Sequence, residues 1–89
     1  MNAERFKTFA DAYTRNLRQA VNDDPASYML KPGEDTDTYA ARVAQKLLLS
    51  VEHSGMGTVN KDGEGFKRTC KELNIKHTYK AINAYLDGE

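Results

Sequence analysis

Apolar side chains recur at every third or fourth position through most of this chain, and that spacing dictates what it can fold into. Phe6, Phe9, Tyr13, Leu17 and Val21 step by three, four, four and four. They line one face of a helix, while Glu4, Arg5, Lys7, Arg15 and Arg18 fall elsewhere on the cylinder. Asn2 is suited to cap its start, so a first helix is expected over about residues 3–21. Asp23-Asp24-Pro25 then reads as a cap with proline at the first helical position, where its missing N–H costs little. A short helix carrying Tyr28, Met29 and Leu30 is expected there, broken by Lys31-Pro32-Gly33-Glu34-Asp35.

Thr36 or Asp37 can cap the next helix, whose stripe is Tyr39/Ala40, Val43/Ala44, Leu47/Leu48 and Val51. Its alanines let a neighbouring helix approach closely. Ser54-Gly55-Met56-Gly57 ends it, with Gly55 suited to a left-handed cap. Four of the six glycines fall between residues 55 and 65, which favours a loop over a tight hairpin. Phe66, Cys70 and Leu73 line a third face, Asn74 offers a left-handed stop, Tyr79, Ile82 and Leu86 line a last one, and Gly88 ends it. The expected fold is an all-α, compact bundle of four to five short helices, with residues 1–89 forming one domain.

A domain of 89 residues buries only about 60–65% of its unfolded surface, so its core is thin and a roomy enclosed active site is not expected. Thirteen basic and thirteen acidic residues give zero net charge, which argues against disorder by composition and against a global field that attracts nucleic acid. Leu47-Leu48-Leu49, the longest apolar run, is far short of a membrane span. The mixed-charge start Met1-Asn2-Ala3-Glu4-Arg5-Phe6-Lys7 has no apolar stretch of the kind a signal peptide needs. A single cysteine, Cys70, excludes an internal disulfide framework. A cytoplasmic protein is expected.

The patterns that carry chemistry fail on inspection. Asn60-Lys61-Asp62-Gly63-Glu64-Gly65 begins like a calcium loop, but the position needing a bidentate Glu is Lys71 and the one needing an aliphatic residue is Lys67. No register places Gly-Lys-Ser/Thr after a glycine and four residues, as a phosphate loop requires. His53 and His77 stand 24 residues apart with no local ligand pair for zinc. Cys70 is spaced with Phe66 and Leu73 as a packed small residue. No nucleophile elbow or His-Glu-x-x-His pair occurs. Neither an enzyme, nor a cofactor, nor a small-molecule substrate is expected.

Two charged segments do stand out. Residues 22–41 hold Asp23, Asp24, Glu34, Asp35 and Asp37 against Lys31, with Tyr28 and Tyr39 among them. An acidic strip with tyrosines suits a basic protein surface, including one that normally holds nucleic acid. Residues 61–82 hold six basic residues against three acidic ones. There, Cys70, Leu73 and Ile75 meet part of a helix-turn-helix pattern, although Lys80 occupies its second aliphatic position. In that arrangement Lys67, Arg68, Lys71 and Lys76 would contact phosphates, and Thr78, Tyr79, Lys80 and Asn83 would face the bases of duplex DNA.

The run Asn60-Lys61-Asp62-Gly63, Phe66-Lys67-Arg68-Thr69-Cys70-Lys71-Glu72-Leu73 and Ile75-Lys76-His77-Thr78-Tyr79-Lys80-Ala81-Ile82 resembles the C-terminal block of a family of small phage and prophage proteins. The likeness extends from Asn60 to Leu86, with Asn74 where a glycine is expected. It implies an accessory protein that binds and blocks a host machine stoichiometrically, as inhibitors of CRISPR–Cas effectors do. The leading expectation is therefore a non-enzymatic, phage-type binder of a host protein or nucleoprotein complex. Its contacts would be Asp23, Asp24, Tyr28, Glu34, Asp35, Asp37 and Tyr39. The alternative is a helix-turn-helix DNA-binding regulator, and a third reading is a structural component that self-associates through Leu49.

Overall fold

The computed structural model describes residues 1–89, apart from the side chain of Thr58. Four α-helices follow one another: α1 (Ala3–Asp23), α2 (Thr36–Ser54), α3 (Glu64–Leu73) and α4 (Tyr79–Leu86). Single 3-10 turns sit at Pro25–Ser27 and Met56–Thr58, and no strand occurs among the described residues.

The longest helix, α1, is the axis of the molecule, and α2, α3 and α4 all pack against it. Its start is capped as expected, with Asn2 Oδ1 accepting from the Arg5 N–H at 2.9 Å. The helical spacing of Phe9, Tyr13, Leu17 and Val21 is realised as burial, and Ala12 and Ala20 join them. The Phe66 ring of α3 stacks on Tyr13 with centroids 4.4 Å apart and lies 6.0 Å from Phe9. Gly65 is what lets α3 come so near, because a Cβ there would lie 2.8 Å from Tyr13 Cε1. Met56, Val59, Ile82 and Leu86 complete the core at the end where α4 docks.

The short helix expected at Tyr28, Met29 and Leu30 does not form, so the α-helices number four. The chain makes one 3-10 turn and then extends, with Tyr28 at φ −122° and ψ 158°. The Asp24 side chain caps no backbone N–H of this turn; its carboxylate accepts from the Ser27 hydroxyl instead, while its carbonyl accepts from the Ser27 N–H. Tyr28 is held by an edge-on contact with Tyr39, centroids 6.0 Å apart, which requires the extended path. The cap of α2 is also not where expected. Asp35, rather than Thr36 or Asp37, accepts from the Thr38 N–H at 2.7 Å, and the Thr36 hydroxyl is bonded to Asn22.

Residues 55–63 form a loop with one 3-10 turn rather than a hairpin, and Glu64 and Gly65 already belong to α3. Gly55 ends α2 at φ +80° and ψ 177°, a conformation that glycine alone adopts readily. Among the described residues, three side-chain bonds tie the loop to the last quarter of the chain. The Met56 N–H donates to Asn83 Oδ1, the Tyr79 hydroxyl donates to the Val59 carbonyl, and His77 Nε2 bonds the Lys61 carbonyl. Asn74 stops α3 at φ +57° and ψ 45°, as its short polar side chain permits. Helices α3 and α4 make their main contacts with α1, not with each other. Tyr79, expected on the inner face of α4, is 38% exposed, and Ile82 and Leu86 do the packing. No described helix is long and apolar enough to cross a membrane.

Candidate interaction surfaces

Most of the acidic segment is spent on holding the fold together. Asp23, at the end of α1, pairs with Arg68 at 2.9 Å and accepts from Gln19. Those bonds hold its carboxyl below the usual carboxylate range. Glu34 is nearly enclosed, its side chain 9% exposed, between the forked Arg42 guanidinium and the Lys31 N–H. Its pKa is lowered chiefly by Arg42. Asp35 is the α2 cap, and Tyr39 is buried. That leaves Asp24 and Asp37 exposed, the latter only 4.0 Å from Arg18 Nε, with Tyr28 half-buried between them and the core.

The structure adds a residue that was expected on a short helix. Met29 is 87% exposed, more than any other large apolar side chain. It stands on a segment fixed on both sides, by the Tyr28–Tyr39 contact before it and by the Glu34 bonds to Lys31 and Arg42 after it. Pro25 and Pro32-Gly33, which bracket the segment and leave too little room for a helix, were the available signal.

Within the basic segment Lys61 is paired with Asp62, and the arginines there and on α1 are engaged as well. Arg68 bridges Asp23 and Glu64, Arg15 makes a two-pronged pair with Glu72 at 2.7 Å, and Arg5 lies over the Tyr85 ring. Three side chains expected to face bases are committed internally. Thr78 caps α4 through the Ala81 N–H, Tyr79 holds the Val59 carbonyl, and Asn83 holds the Met56 N–H. Lys67, Lys71, Lys76 and Lys80, by contrast, are exposed and make no ion pair among the described residues.

Elsewhere, Cys70 is buried and its thiol pKa is pushed up by burial, which keeps it protonated. Among the described residues, no three His, Cys, Asp or Glu side chains gather as a metal site would need. An open apolar groove of about 310 Å³ runs between α1 and α2, lined by Phe6, Ala41, Leu48 and Leu49. Comparison of the chain with protein-family models, curated proteins and solved structures found no match.

Proposed function

We infer that this protein works by stoichiometric binding in the host cytoplasm, without catalysing a reaction. It engages a host protein or nucleoprotein complex through the segment joining α1 and α2, and so inhibits or redirects that complex. The observation that carries this reading is Met29, held almost wholly in solvent on a segment that is already ordered. An exposed thioether on a fixed backbone adapts to an apolar pocket while little conformational freedom remains to be lost on binding. Asp24 and Asp37, which precede and follow it in the chain, keep exposed negative charge beside one hydroxyl bond and one 4.0 Å ion pair, and that charge suits a basic rim around such a pocket. Tyr28 extends the contact at the boundary between core and solvent. The resemblance of residues 60–86 to small phage proteins supports a bacterial host machine as the partner.

The test is capture from a bacterial host lysate with the tagged full chain, with and without nuclease. The expected result is a nuclease-resistant protein recovered in near-equal amount and lost with Met29→Ser. Leu49→Ser, which alters an exposed apolar position on α2, should retain it. Recovery that is unchanged by Met29→Ser overturns the assignment of this segment.

A further inference from the structure

Lys67, Lys71, Lys76 and Lys80, which make no ion pair among the described residues, point to a second surface that is independent of the Met29 segment. Lys67 and Lys71 are one helical turn apart and lie on the same side of α3, away from the buried Phe66 and Cys70. Lys76 and Lys80 line one open cavity of about 420 Å³ with Thr78, Ala81 and Ala84. Lys76 also lines the adjoining cavity with Leu73, Asn74 and Ile75, so the end of α3 connects the two pairs. The nearby acids do little to neutralise them. Glu72 is held by Arg15, Glu64 is engaged by Arg68, and Glu89 lines the second cavity together with Arg5.

We propose that this lysine face binds the phosphate backbone of duplex nucleic acid without reading its sequence. The chemistry follows from which groups remain free. Ammonium groups act as point charges on phosphates, whereas base recognition needs directional partners such as arginine forks or amides. Here the arginines close internal ion pairs or lie on an aromatic ring, and Asn83, Thr78 and Tyr79 hold backbone groups. On the α4 side the surface keeps its charge and has given up its directional side chains. A helix-turn-helix reader would have the reverse arrangement, with directional side chains free on α4.

The proposal is tested by fluorescence anisotropy of the full chain on two unrelated duplexes of about 20 base pairs, titrated with salt. Four phosphate contacts predict a slope near −3.6 in the logarithmic salt plot, or about a 150-fold loss of affinity between about 50 and 200 mM. Lys67→Gln with Lys71→Gln, or Lys76→Gln with Lys80→Gln, should each reduce that loss to about 12-fold. Lys46→Gln, an exposed lysine on α2, is the control and should leave the slope unchanged. All these side chains are exposed, so the variants retain the fold. Binding that differs between the two duplexes overturns the proposal, as does no binding at about 50 mM salt. An equal effect of Lys46→Gln overturns it too. Binding of an acidic polypeptide in place of the duplexes reassigns the face to a protein partner.

Discussion

Replacing Gly65 by alanine tests the seat of α3 on α1 at its tightest point. The new Cβ would lie 2.8 Å from Tyr13 Cε1, 3.3 Å from Leu17 Cβ and 3.4 Å from Tyr13 Cδ1. None of these atoms can step aside easily. The Tyr13 ring is 2% exposed and stacked against Phe66 and Phe9, and Leu17 is 5% exposed. Burial also pushes the Tyr13 hydroxyl well above its ordinary pKa, the mark of a ring enclosed by protein. Either α3 lifts away from α1 or the aromatic stack shifts, and overpacking of this kind costs about 1–3 kcal/mol. Alanine recovers at most about 1 kcal/mol of helix propensity, and less in a first turn. The net expectation is a loss of about 1–2 kcal/mol, which for a domain of this size is a fall of about 5–15 °C in Tm. Urea denaturation followed by circular dichroism measures it directly. Gly57→Ala is the counter-case: a Cβ there meets nothing within 4 Å, so reduced freedom of the unfolded chain should stabilise it by about 0.4–1 kcal/mol. A Gly65→Ala protein as stable as the parent would refute the close packing of α3 on Tyr13 and Leu17.

Two further perturbations address electrostatics and capping. The Arg15 fork, with Asn16, lowers the Glu72 carboxyl from its ordinary 4.5 to about 2. Its contribution is thus complete above pH 4.5 and is lost as the pH falls towards 2. Glu72→Gln should lower the urea midpoint at pH 6 and converge on the parent near pH 2; a constant offset across that range would contradict the pairing. Asp35→Ala removes the α2 cap and should cost about 1 kcal/mol in the same assay, with Asp37→Ala costing less; the opposite ranking would move the cap.

How much of this was legible in the sequence depended on the range of the interaction. Local devices were readable, because Asn2, Gly55 and Asn74 act within a turn of their own helix. The inner faces around Phe9, Tyr13, Phe66 and Ile82 followed from spacing alone. Among Asp35, Thr36 and Asp37, three competent caps stand in a row, and only the bond between Thr36 and Asn22 settles which one serves. Asp24-Pro25 signalled a helix start ahead of Tyr28 to Leu30, but the chain extends at Tyr28, whose ring meets Tyr39. The internal roles of Asp23, Glu34 and Asp35 within the acidic strip were not legible. Arg68 lies 45 residues from its partner Asp23, so composition showed five carboxylates where the folded surface leaves two largely unspent.

The pairing of α1 with α3 also shapes how the chain comes together. Arg15 and Glu72 are separated by 57 positions and Asn16 and Thr69 by 53, so the aromatic stack joins segments made at widely separated moments. As the polypeptide leaves the ribosome, α1 and α2 can meet early, but Phe9 and Tyr13 keep a bare flank until Phe66 emerges. That interval is when nascent chains are most exposed to one another. Lys7, Asp11, Arg15 and Arg18, all exposed on the same helix, keep its opposite face charged with both signs during the wait.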